Sequence, residues 1–150
     1  MKIGVISDTH KVMRPAALEA LRGSDLIVHG GDVCSQAVLE ALREMAPLVA
    51  IRGNCDKGAW SEKLKDVEEF EAGGARFLVI HNVHDLEALP EGVRCVISGH
   101  SHKAAVTRKE GVLYLNPGSA GPRRFHLPVT VARVEVVDGK VDAEIVRIEE

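Results

Sequence analysis

A chain of 150 residues with 45% hydrophobic and 27% charged residues has the balance of an ordinary globular protein, and its length suits one domain over residues 1–150. The 19 Lys and Arg against 22 Asp and Glu give a net charge of -3, which argues against a general electrostatic grip on nucleic acid. The spacing of Cys34, Cys55 and Cys95 fits neither a disulfide framework nor a zinc ribbon, Asp8 breaks the N-terminal apolar run too early for a signal peptide, and no stretch approaches a membrane span, so a reducing, cytoplasmic setting is expected.

Ile3 to Ile6 is an unbroken apolar run ending in Ser-Asp-Thr-His, the pattern of a buried strand entering a loop. Pro15 to Leu21 reads as a short helix with proline in its first turn and Gly23 just beyond its end. Leu26 to Val28 is a second buried strand, running into His-Gly-Gly-Asp. Ser35 suits the N-cap of a helix reaching Glu44, with Val38, Leu39, Leu42 and Met45 on one face. Leu48 to Ile51 is a third strand, followed by Gly-Asn-Cys-Asp. Val67 to Glu71 and Arg76 to Ile80 flank Gly73-Gly74 as a hairpin. Cys95 to Ser98 is a strand ending in Gly-His-Ser-His, and Val112 to Leu115 leads into the turn Asn116-Pro117-Gly118-Ser119. Val129–Val137 and Val141–Ile148 alternate around Asp138-Gly139, which predicts a type I′ hairpin that suits either a sheet or a homodimer interface. Helices in the first half and strands in the second predict an α/β sandwich with helices on the outer faces.

The polar residues fall where chemistry would need them. Apolar strands end in turn at Asp8 with His10, at Asp32, at Asn54 with Asp56, at His81, and at His100 with His102. Sites in open α/β sheets form at the carboxyl ends of strands, so these clusters describe one convergent site. A single Asp-x-His after a strand is more often a capped turn; the whole series is hard to produce by accident. Carboxylate, amide and imidazole donors suit Mn²⁺, Fe²⁺, Zn²⁺, Co²⁺ or Ni²⁺, with Mn²⁺ the expected metal. The donors exceed what one ion needs, which predicts two divalent ions. Asp8 and Asp32 would offset two of their four charges, leaving the remainder to hold a phosphoryl group and a bridging hydroxide as nucleophile.

This series, Asp8-Thr9-His10, Gly31-Asp32, Gly53-Asn54-Cys55-Asp56, His81 and Gly99-His100-Ser101-His102, resembles the calcineurin-like metallophosphoesterase superfamily. The chain's length, Gly-Asn-Cys-Asp and the Asn116-Pro117-Gly118-Ser119 turn look most like its small bacterial and archaeal phosphodiesterase branch. The resemblance covers nearly the whole chain. It implies a four-layer α/β/β/α sandwich of two packed mixed sheets, with the metals at one edge. It also implies that Asp8, His10 and His102 hold one ion, that Asn54, His81 and His100 hold the other, and that Asp32 bridges them. Asp32, Asn54 and His100 count among the catalytic residues, and the expected reaction is phosphodiester hydrolysis of a small-molecule substrate.

Two departures from the family pattern stand out. Cys55 takes the place where much of the superfamily has the histidine that protonates the leaving group. The fourth motif reads His81-Asn82-Val83-His84, where glycine usually follows the histidine. Asn tolerates positive φ, so a left-handed turn is admissible at Asn82. His81 directly follows an apolar strand and is the expected ligand; His84 reads as a surface or capping residue.

Other residues admit plainer readings. His29 reads as a histidine packed at a strand end, and Asp56 as either an orienting group or a turn cap. Cys34 and Cys95 read as small core or loop residues. Trp60 suits a packing anchor as well as a substrate wall. Arg123 and Arg124 read as solvated loop arginines that could also meet substrate phosphate. His126 has no assigned role. A second function class is a non-catalytic protein-binding scaffold of the same fold, as in the retromer subunit that resembles these enzymes. Retention of a competent donor at every ligand position favours the enzyme.

Overall fold

The computed structural model describes residues 1–124 and 126–148. Two five-stranded sheets pack face to face. The first is built from β1 (Lys2–Ile6), β2 (Leu26–His29), β3 (Leu48–Ala50), β9 (Thr130–Val137) and β10 (Lys140–Arg147), in the order β10-β9-β1-β2-β3. The second contains β4 (Val67–Ala72), β5 (Ala75–Ile80), β6 (Val93–Ile97), β7 (Ala105–Lys109) and β8 (Val112–Asn116), in the order β4-β5-β6-β8-β7. Strands β1, β2 and β3 run parallel to one another, as do β5, β6 and β8; antiparallel β9 and β10 extend the first sheet on the side away from β3, and antiparallel β4 and β7 form the edges of the second.

Period-two alternation divides each strand between two environments. Ile3 and Val5 of β1 meet Phe77 and Val79 of β5 in the inter-sheet core, together with Cys95, Ile97, Leu113, Leu115 and Val134. Each fully buried side chain of this size contributes about 1.5–3 kcal/mol relative to exposure. Ile6 and Ile27 face the other way, against α1 (Pro15–Ala20) and α2 (Gln36–Met45). Pro15 begins α1, and the Ser35 hydroxyl caps α2 by accepting the Ala37 N–H at 3.2 Å. Trp60 packs against this helix-side core, which favours the anchor reading. On the second sheet's outer face, Leu78, Ile80, Val93, Val96 and Val112 are covered by Val83, Leu86 and Tyr114, so the helical element of that layer is one 3-10 turn, Val83–Asp85.

The hairpin β9–β10 completes the first sheet: β9 pairs with β1, and Asp138 (φ 50°) and Gly139 (φ 79°) form the expected type I′ turn. Strand β7 was not anticipated. All five of its residues are exposed, so it carries no alternation, and its turn, Glu110-Gly111, is a weaker signal than Asn-Gly. Among the described residues no helix is long and apolar enough to cross a membrane.

Candidate metal centre

Residues following β1, β2, β3, β5, β6 and β8 interlock at the carboxyl ends of these strands. Asp8 Oδ2 accepts hydrogen bonds from Ser7 Oγ at 2.9 Å and the His100 N–H at 3.1 Å. Its other oxygen, Oδ1, is buried without a hydrogen-bond partner and faces His102 Nε2 at 3.6 Å and His81 Nε2 at 3.9 Å. Asp32 divides its oxygens in the same way. Oδ1 accepts the Cys55 N–H at 2.9 Å, while Oδ2 lies 3.1 Å from His81 Nε2 and 3.7 Å from His10 Nε2. Each carboxylate thus gives one oxygen to a neighbouring loop and turns the other inward.

The histidine tautomers sharpen this geometry. His81 Nδ1 lies 2.7 Å from the Gly30 carbonyl, to which it donates, so in the neutral ring Nε2 bears a lone pair. That lone pair meets Asp32 Oδ2, acceptor against acceptor, and the contact makes sense only with a proton or a metal cation between them. Asp8 Oδ1, His10 Nε2 and His81 Nε2 are all buried and lack hydrogen-bond partners. Two donor groups, Asp8 with His10 and His102, and Asp8 with Asp32 and His81, each gather their ligand atoms within 4.8 Å. Orphaned polar atoms of this kind are expensive unless something compensates them, and the donor set fits divalent cations.

Electrostatics record the same crowding. Burial pushes the Asp8 carboxyl up to about 6, against the lowering effect of His81 and the Ser7 hydrogen bond. Burial also acts to raise Asp32, but the adjacent His81 ring and the hydrogen bond from the Cys55 N–H, with His10 nearby, hold it at about 2. His102 is pushed down to about 4 by burial and then by the Arg124 guanidinium. Burial likewise lowers His10, while the adjacent Asp32 carboxylate and the hydrogen bond to Gly30 raise His81 against its own burial.

Backbone conformation is unusual here. Asp8, His10, Asp32, Cys34, His100 and His102 all have φ between 44° and 71°, in the left-handed region. Asp and His tolerate it better than most side chains, yet such strain concentrates at functional sites. Two glycines permit the close nesting: a Cβ at Gly53 would overlap Asp32 Oδ1, and one at Gly99 would overlap Ser7 Oγ. Asn82 instead is extended at φ -114° and caps the 3-10 turn by accepting the His84 N–H at 3.1 Å, so the left-handed turn admitted for it is not used. His84 is exposed.

A second layer braces these loops. Asp56, only 3% exposed, accepts the N–H groups of Cys34 at 2.7 Å, Gly53 at 2.8 Å and Val33 at 3.2 Å. It is both a turn cap and a strut between two site loops. Gly31 N–H donates to His29 Nδ1, so His29 Nε2–H faces Thr9 Oγ1 at 3.1 Å, and burial pushes this ring down to about 3. His29 is therefore neutral and structural. Asn116 donates to the Gly99 carbonyl at 3.0 Å and Ser119 to that of Asp8 at 3.0 Å, so this turn ties down the loops that follow β1 and β6. Sequence reasoning gave the hydroxyls of Ser7 and Thr9 no role and read Ser119 only as part of a turn. It also favoured a merely solvated Arg124, whose charge reaches His10 and His102. His100 is exposed, its ring centroid 5.2 Å from that of His81, and Asn54 is exposed on the turn whose next N–H binds Asp32.

Comparison with known proteins agrees with the series of motifs. The calcineurin-like phosphoesterase superfamily domain matches residues 1–139. A probable metallophosphoesterase of Methanothermobacter thermautotrophicus is 36% identical over 98% of this chain and 92% of its own length. Among solved structures, an archaeal phosphodiesterase superposes with a TM-score of 0.79 at 23% identity, covering 97% of this chain and 100% of its own. Vps29 from Chaetomium thermophilum reaches a TM-score of 0.77 at 17% identity, covering 99% and 97%. The last two show the fold, while the family match and the sequence relative go further: this chain belongs to the calcineurin-like phosphoesterase superfamily.

Proposed function

We propose that this chain is a single-domain, cytoplasmic phosphodiesterase that works with two divalent ions, Mn²⁺ being the metal expected. The observation that carries this reading is the inward set of buried atoms without hydrogen-bond partners, Asp8 Oδ1, His10 Nε2 and His81 Nε2. Asp8, His10 and His102 would hold one ion, Asn54, His81 and His100 the other, and Asp32 both. Asp32 Oδ2 suits that role because it approaches one histidine from each set. When bound, such ions supply Lewis acidity and a nucleophile at neutral pH. The protein's own part is to fix donor directions, through Gly30 on His81 and the Asn116 and Ser119 braces, and to offer Arg124 to the substrate anion. The diester preference is supported by the likeness to the small phosphodiesterase branch. The scaffold reading rests on fold likeness to Vps29 alone, whereas the enzyme reading has the family match and the sequence relative behind it. Elemental analysis of protein saturated with Mn²⁺ should give two ions per chain, and a substrate panel should show diesters cleaved faster than monoesters. One ion at saturation would sink the two-metal reading.

The irregular fourth motif offers a separate check. His81→Ala should lower bound metal by one ion, whereas His84→Ala should leave metal content intact, because His81 is 5% exposed beside Asp32 and His84 is exposed on the 3-10 turn that Asn82 caps. The reverse result would mean that the loop presents a different ligand.

Asp8 gives a prediction about stability. Its folded pKa, about 6, stands above the ordinary 3.8, so its contribution is fully present below 3.8 and is lost as pH rises through 6. In metal-free protein at pH 7 the ionised, buried Asp8 therefore costs on the order of 3 kcal/mol. Asp8→Asn removes that charge. Metal-free D8N should melt above metal-free wild type at pH 7, and added Mn²⁺ should raise the wild-type Tm far more than that of D8N. Equal metal-induced shifts in both would rule out Asp8 as a ligand.

A further inference from the structure

Beside the carboxylate–imidazole centre lies a second donor group, which shares His10 with it and adds two cysteines that the proposed function does not use. Ligand atoms of His10, Cys34 and Cys55 all fall within 4.8 Å of one another. The His10 atom involved with Cys34 is Nδ1, 3.7 Å from Sγ, on the opposite side of the ring from the Nε2 that faces Asp32. We propose that Cys34 Sγ, Cys55 Sγ and His10 Nδ1 form a distinct site for one thiophilic cation, such as Cd²⁺, Zn²⁺ or Cu⁺.

Three observations support the site. The first is its chemistry, since two sulfurs and an imidazole nitrogen select soft or borderline cations, whereas the neighbouring oxygen-rich centre suits harder ones. The second is distance. Sulfur and nitrogen ligands at about 2.3 and 2.0 Å from a tetrahedral ion stand roughly 3.5 Å apart, close to the His10–Cys34 separation already present. The third is construction. The two cysteine loops are cross-clamped: Cys34 N–H donates to Asp56 Oδ1 at 2.7 Å, and Cys55 N–H donates to Asp32 Oδ1 at 2.9 Å. The backbone of each cysteine is therefore held by a carboxylate of the other's loop. Cys55 is exposed and Cys34 half-buried, which leaves a way in and a position for water as fourth ligand.

A consequence follows for His10, and this part rests on the proposed function. A neutral imidazole has one lone-pair nitrogen. With Nδ1 on a thiophilic cation, Nε2 carries the proton and is lost as a ligand to the hydrolytic pair. The two uses of His10 exclude one another, so a thiophilic cation acts as an inhibitor, and the cysteine pair makes the enzyme sensitive to such metals.

The test is titration of Cd²⁺ into reduced, Mn²⁺-loaded protein, reading the thiolate-to-cadmium charge-transfer band in the ultraviolet and freed Mn²⁺ by electron paramagnetic resonance. Wild type should develop the band up to one equivalent and release one Mn²⁺ per Cd²⁺. C34S/C55S should lack it, and each single variant should bind Cd²⁺ at least about 100-fold more weakly. Cys95, buried between the sheets, is the internal control. No band in wild type at one equivalent, or an unchanged band in C34S/C55S or in both single variants, would overturn the site. A band without Mn²⁺ release would overturn the exclusion at His10 while leaving the site standing. Protein that binds no Mn²⁺ would refute the two-metal reading, and the band would still decide the thiol site.

Discussion

Asp32→Asn is expected to reduce kcat/KM for a diester by roughly 10³-fold or more while leaving the protein folded, the loss corresponding to several kcal/mol of transition-state stabilisation. The substitution is nearly isosteric. The asparagine carbonyl oxygen can still accept the Cys55 N–H, so the tie between the two loops survives. What changes is the inward atom. In place of an anionic oxygen 3.1 Å from His81 Nε2 stands an amide N–H, which can donate to that lone pair. The variant thereby resolves the acceptor–acceptor contact without a cation. Metal-free D32N should be at least as stable as metal-free wild type, yet bind metal poorly and turn over slowly. Asn54→Ala gives the contrast. Asn54 is exposed and uncharged, and its loss should weaken one ion only, with partial rescue by excess metal. Metal content, Tm and kcat/KM measured on both variants separate the cases. Near-normal turnover in D32N would show that Asp32 is not the shared ligand.

The same residues explain what the sequence could and could not reveal. The donors were legible because parallel strands deliver their ends to a common edge. A buried strand is an unbroken apolar run, so the polar residues after it mark the end: Ser7-Asp8 after Ile6, His81 after Ile80. That logic needs no tertiary knowledge. It fails where partners come from distant loops. Nothing local announces that Asp56 would span to Cys34, that Ser119 would reach Asp8 across 111 positions, or that Cys34 would meet the far side of His10. Nor does an arginine in a loop show which way its charge is felt, and Arg124 became informative only through its effect on His102. The first sheet was legible by period and turn chemistry. The exposed edge strand β7 was not, because a strand without a buried face has no reason to alternate.

A steep dependence of rate on the leaving group is the second large effect expected. Hydrolysis of a poor leaving group needs a proton donor, and positioned acid catalysis contributes on the order of 10²–10⁴-fold. A histidine is suited to that work near neutral pH. At the position after Asn54 this chain has Cys55, and a thiol, whose ordinary pKa is about 8.5, is a poorer proton donor near neutral pH than an imidazolium. Two neighbouring side chains, Cys34 and His29, do not take its place. Burial, and then the carboxylate of Asp56, push the Cys34 thiol up to about 12, which makes it a feeble acid, and His29 is held neutral with its ring nitrogens committed to Gly31 and Thr9. Nitrophenyl diesters should therefore be cleaved readily and alkyl diesters far more slowly. A plot of log rate against leaving-group pKa should slope steeply downward in wild type. Cys55→Ala should keep that slope, whatever it does to the absolute rate, whereas Cys55→His should flatten it by restoring a donor. A flat plot in wild type that steepens in Cys55→Ala would establish Cys55 as the acid, and the leaving-group argument would then be wrong at its root.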